Sequence, residues 1–148
     1  SLCTYADDSQ KNADLPLEVD GFDYVQSIQD AVDLTERHVP ADASVLTFDF
    51  VNPVNLLTGR PPIAGTRLWY HKDRTFNSDH LGPPETWLRN VTYVLVPTIP
   101  VDHKSRNELL RNAGCFLENR FEPVERTAFW VLLRKTDASA IPSPPKTP

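Results

Sequence analysis

The chain has no methionine, only two cysteines and only five glycines among 148 residues. It also has no apolar run of the roughly 18 residues that a membrane-crossing helix needs. Each shortage excludes something. Gly21, Gly59, Gly65, Gly82 and Gly114 stand apart, and no Gly-x-Gly-x-x-Gly or Gly-Lys-Ser/Thr loop follows a strand. That argues against a nucleotide held in the dinucleotide manner, and no cofactor is expected. Cys3 and Cys115 are too few for a disulfide scaffold and give no zinc spacing. They can form one bridge in an oxidising compartment; two unrelated free thiols is the equal alternative. No initiator methionine or signal-peptide pattern opens the chain, which reads as a piece of something larger.

Charge is unevenly spread. Net charge is -5. Residues 1–36 hold nine Asp/Glu against Lys11 alone, and the remainder has fourteen Lys/Arg against eleven Asp/Glu. The basic residues are scattered and form no face interleaved with aromatics, so no nucleic-acid partner is expected. With 40% hydrophobic and 24% charged residues, the composition is that of one globular domain with a real core.

Three regions divide the chain: an acidic linker or arm over 1–20, an α/β domain over 21–136, and a Pro-rich tail over 137–148. A helix capped by Asp20 or Asp23 runs to about His38, with Phe22, Val25, Ile28 and Val32 as its apolar stripe. Pro40 stops it and 41–44 turn. Val45 to Phe50 has the β-branched and aromatic composition of an interior strand. Asn52 suits a helix cap, Pro53 the first helical position and Gly59 the residue past the end. Thr66 to Tyr70 reads as a further strand, residues 71–82 as a polar loop, and 83–89 as a short helix. Thr92 to Pro97 is apolar on both faces, as in the middle of a parallel sheet. Ser105-Arg106-Asn107-Glu108 has the pattern of a capping box and opens a helix to about Arg120. Leu109, Leu110, Ala113, Phe116 and Leu117 line its buried face, with Cys115 on the wetter side. Residues 123–126 and 128–135 read as a terminal strand pair, with Trp130, Leu132 and Arg134 on one side and Phe129, Val131 and Leu133 on the other. The order implies an α/β three-layer sandwich with a mostly parallel central sheet and an antiparallel C-terminal edge.

Candidate chemistry gathers first where the strand at 45–50 turns into its helix, because ligands of open α/β sheets sit at such turns. Asp49, Asn52 and Asn55 can bind a hydroxyl or a metal there. Helix capping by Asn52 and a buried hydrogen bond at Asp49 form the simpler reading. Arg67, Trp69 and His71 form a second group, since aromatic faces stack on sugar rings; core packing is the competing role for Trp69, Tyr70, Trp87 and Trp130. His71, Asp73, Asp79 and His80 share a loop without metal spacing. No Gly-x-Ser-x-Gly elbow supplies a nucleophile. Asn90-Val91-Thr92 matches the N-glycosylation acceptor pattern, which matters only in a glycosylating compartment.

Several stretches together resemble a known family. They are His38-Val39-Pro40, the short helix Leu56-Leu57-Thr58-Gly59-Arg60-Pro61, Trp69-Tyr70-His71, Trp87-Leu88, Tyr93-Val94-Leu95-Val96-Pro97, Phe121-Glu122-Pro123-Val124 and Trp130-Val131-Leu132-Leu133-Arg134. Over about residues 22–135 the chain is similar to the soluble C-terminal extracytoplasmic domain of bacterial polytopic GT-C-type membrane glycosyltransferases. These take sugar from a polyprenyl-phosphate carrier. The resemblance implies a periplasmic or cell-surface location, tethered to the membrane through a transmembrane remainder of the parent. It also implies contact with the acceptor or with the sugar on its polyprenyl-phosphate carrier. In that family the catalytic acids lie between membrane helices, so no catalytic residue carries over and this part alone is not expected to be an enzyme. Two other readings stand beside it. One is a free-standing small-molecule-binding domain or enzyme with its site at Asp49 to Asn55; the other is an interaction module without a ligand.

Overall fold

The computed structural model describes residues 21–49, 53–63, 81–98 and 103–136. In chain order the elements are α1 (Gly21–His38), β1 (Val45–Thr47), α2 (Val54–Thr58), α3 (Pro84–Trp87), β2 (Tyr93–Pro97), α4 (His103–Arg120), β3 (Phe121–Arg126) and β4 (Trp130–Lys135). The expected strand at 66–70 and residues 71–80 of the loop expected over 71–82 lie outside the described residues, as do the arm and the tail.

Among the described residues four strands form one open sheet in the order β1-β2-β4-β3. β1 runs parallel to β2, while β2 and β4, and β4 and β3, pair antiparallel. The sheet is therefore mostly antiparallel, against the expectation of a mostly parallel one; the antiparallel C-terminal edge is present as β3. The cause lies in how β4 enters. It follows β3 through a short hairpin and inserts beside β2. An all-apolar strand such as β2 needs cover on both faces, which α1 and α4 supply whichever way its neighbouring strands run.

Side chains alternate across the sheet, and the core divides accordingly. Val45, Tyr93, Leu95, Trp130 and Leu132 pack with Ala31, Leu34 and Val39 of the α1 segment and with Val54 of α2. Leu46, Val94, Val96, Val131 and Leu133 pack with Leu109, Leu110, Ala113 and Leu117 of α4. Phe129 sides with the first cluster, not with Val131 and Leu133 as expected.

The buried stripe of α1 also differs from the one expected. Val25 is 65% exposed, whereas Ser27, Ala31, Leu34 and Thr35 are buried. Ser27 and Thr35 can be buried because their hydroxyls donate to the helix's own carbonyls, Tyr24 O at 2.8 Å and Ala31 O at 2.7 Å. The C-terminal hairpin then fixes the helix. Trp130 Nε1 donates to Ser27 O at 2.6 Å, and Thr127 Oγ1 donates to Asp30 Oδ2. An indole N–H buried in an apolar layer needs such an acceptor.

Candidate functional site

The turn from β1 into α2 was the first place expected to carry chemistry. Among the described residues β1 is an edge strand, and its outer backbone groups need partners. Asn55 supplies them. Its Nδ2 donates to Val45 O, and its Oδ1 accepts from Val45 N, each at 2.8 Å. The side-chain amide thus stands in for one residue of a neighbouring strand. The geometry gives Asn55 a structural task where ligand binding was expected.

Arg60, which the sequence reading left without a role, does the same for a helix end. Its Nη2 donates to Val39 O at 2.7 Å and Thr35 O at 3.4 Å, at the C-terminus of α1. A cation there satisfies orphan carbonyls and opposes the negative end of the helix dipole. Gly59 adopts the left-handed φ of 69° that ends α2, as its position in the sequence implied. Pro53 precedes α2 instead of opening it.

Asp49 is 3% exposed and is not a free carboxylate. It stands two residues past Thr47 on β1, as Pro97 stands two past Leu95 on β2, and Thr47 and Leu95 are register partners. Asp49 and Pro97 therefore mark the carboxyl end of the parallel pair. Here Arg106 of α4 reaches back, donating from Nη1 to Pro97 O at 3.1 Å and to Thr98 O at 3.4 Å. Its Nε and Nη2 both donate to Asn107 Oδ1, at 3.2 and 3.1 Å. Ser105, Arg106, Asn107 and Glu108 are all buried. Four consecutive helical positions sweep about 300° of the helix surface, so this turn is enclosed nearly all round. The helix opens at His103, ahead of Ser105, so Ser105 lies inside it and not at the expected cap. Glu108 holds Arg111 Nη1 at 3.1 Å.

At the carboxyl end of β2 the structure thus brings together the Arg106 guanidinium, the Asn107 amide and the carbonyls of Pro97 and Thr98, while Asp49 is buried just past the end of β1. Polar groups buried this way recognise a polar solute or fix the strand ends. Arg106 is the residue that sequence reasoning missed. Its signal was a charged residue one place inside an apparent capping box just after an apolar strand.

The other expected site residues separate. Asn52, Arg67, Trp69, His71 and Cys3 lie outside the described residues, as do Asp73, Asp79 and His80. Trp87 stacks on Phe48 with ring centroids 5.8 Å apart, and its Nε1 donates to Asn112 Oδ1 at 3.0 Å. Trp130 belongs to the core, so both rings have the packing role. Cys115 is exposed on α4 and is disulfide-bonded; the sequence holds one other cysteine, Cys3.

The Glu125 carboxyl is held below its ordinary value, chiefly by its hydrogen bond with His38. Burial pushes the Lys135 ammonium down, and the Arg120 charge adds to this. A hollow of about 400 Å³ lined by Asp30, Asp33, Glu36 and Arg37 lies on α1, away from Asp49 in the sequence. Among the described residues no group of three or more His, Cys, Asp or Glu could hold a metal ion, and no helix is long and apolar enough to cross a membrane.

No protein-family model, curated protein or solved structure matches the chain.

Proposed function

We propose that residues 21–136 form a non-catalytic extracytoplasmic accessory domain of a membrane-tethered, glycosyltransferase-like parent. The observation that carries this reading is the disulfide at the exposed Cys115. Disulfides persist in oxidising compartments and are rare in the cytosol. The resemblance over 22–135 supplies the membrane parent. The two apolar clusters, one under α1 and one under α4, support a three-layer helix–sheet–helix arrangement. The domain would hold acceptor or the lipid-linked sugar near the membrane, or dock on the transmembrane remainder.

Sequencing the parent gene on both sides of this chain, with fractionation of native cells, tests the reading. It expects several apolar spans of about 20 residues each in the parent and recovery of the domain with membranes. A parent without spans, recovered in the soluble cytoplasmic fraction, overturns it.

A second reading is favoured by the polar turn at the carboxyl ends of β1 and β2. In open α/β sheets that end is where small ligands bind. A polar solute would meet Asp49 and Arg106 there. Calorimetric titration with sugars and sugar phosphates decides. Binding that is lost in a folded Asp49→Asn variant supports this site, and no binding by the wild-type domain refutes it.

A further inference from the structure

Asn90-Val91-Thr92 has an arrangement that neither the fold nor the proposed function requires. These residues form the entry to β2. Val91 N donates to Leu88 O at 3.1 Å, closing a tight turn over Leu88–Val91. Lys135 Nζ reaches across and donates to Leu88 O and Arg89 O, each at 3.2 Å, which holds the turn's carbonyls inward. Val91 is fully buried, and Lys135 N donates to Thr92 O at 2.7 Å, which starts the ladder. Val91 turns into the core, while Asn90, within the turn, and Thr92, just before β2, are both exposed. Among the described residues no hydrogen bond engages the Asn90 amide.

We propose that Asn90 is an N-glycan acceptor. The proposal rests on the extracytoplasmic placement argued above, because the glycan donor is used on that side of the membrane. The acceptor pattern requires an amide and, two residues on, a hydroxyl. Here both are presented on one exposed edge while the residue between them anchors the segment. The donor class is an oligosaccharide on a polyprenyl diphosphate, delivered by a separate transferase. Asn90 Nδ2 forms a bond to the anomeric carbon, and the bond from that carbon to the diphosphate oxygen breaks. The diphosphate leaves with the electron pair, and one Nδ2 proton passes to a base of the transferase. Nothing in this domain catalyses the step; the domain is its substrate.

The test is glycopeptide mass spectrometry of the full-length protein purified from its native host without reduction, with alkylation of free thiols in the same sample. The expected result is a glycan on the Asn90 peptide with Cys115 unalkylated. The glycan disappears in Asn90→Gln and Thr92→Ala and persists in Thr92→Ser, while all three variants keep the wild-type melting temperature. A bare Asn90 with Cys115 oxidised overturns the acceptor assignment and leaves the extracytoplasmic reading intact. A bare Asn90 with Cys115 alkylated overturns both.

Discussion

Asn55 pairs with Val45 as a strand would. One side-chain amide gives a 2.8 Å bond to each of the two backbone groups of that residue on the edge strand β1. Both residues are buried, so neither bond is readily replaced by water. Removing the amide would leave a buried N–H and a buried C=O unsatisfied, each costing about 1–3 kcal/mol. Asn55→Ala is therefore expected to lower stability by about 2–4 kcal/mol in urea unfolding with an unchanged slope. Asn55→Asp keeps the acceptor but sets a carboxylate against Val45 O and is expected to cost at least as much.

Arg60 makes the corresponding prediction for α1. Arg60→Met keeps the aliphatic stem and removes the donors to Val39 O and Thr35 O. Bonds from charged donors contribute about 1.5–3 kcal/mol, and a loss in that range is expected. Hydrogen exchange should speed up in the last turn of α1 ahead of the sheet. A uniform rise in exchange across the domain would show that Arg60 does not act locally.

Trp130→Phe removes the indole N–H that Ser27 O accepts at 2.6 Å while keeping most of the apolar contact in the cluster under α1. The expected loss is about 1–3 kcal/mol for an orphaned buried acceptor plus the lost ring volume. α1 should then exchange faster than α4, because the lost bond ties the hairpin to α1 and not to α4.

The acid limb of the stability profile should belong in part to Glu125. Its carboxyl is held low by the His38 hydrogen bond, 2.7 Å from Nε2 to Oε1, with Arg37 Nη2 at 3.0 Å from the other oxygen. A carboxyl whose pKa falls on folding stabilises the fold above the unfolded value near 4.5 and loses that contribution as pH drops through the folded value. Glu125→Gln should flatten the profile below about pH 4.5 and leave it unchanged in shape near neutrality. An acid limb of the same steepness in both proteins would refute this assignment. The pair is exposed, so the effect should shrink in high salt.

Much of the fold was legible because local chemistry and tertiary context agreed. Pro40 stops α1 after His38, Gly59 closes α2 and the 93–97 apolar run is β2. Where they disagreed, apolar counting failed. Val25 is exposed, and Ser27 and Thr35 are buried through bonds to their own helix. Ser105 sits inside α4 because Arg106 and Asn107 tie that turn to the end of β2. Strand direction was not legible in β2, whose two apolar faces suit parallel and antiparallel neighbours alike. At the candidate site, Asp49 and Asn55 stood out as polar residues flanking a strand-to-helix turn. The structural work of Asn55 became visible only once the edge position of β1 was known. Arg60 and Arg106 gave no periodic signal, since each acts on carbonyls distant in the sequence or across an element boundary.

The disulfide separates the compartments most sharply. A disulfide typically contributes about 2–4 kcal/mol, so Cys115→Ser should melt lower than the oxidised protein by several degrees. The most direct test of the extracytoplasmic assignment is protease treatment of right-side-out membrane vesicles from the native host, followed by thiol alkylation before and after reduction. The account predicts that the domain is cleaved from the outside in intact vesicles and that Cys115 is alkylated only after reduction. A domain protected until the vesicles are lysed, with Cys115 alkylated at once, would contradict it.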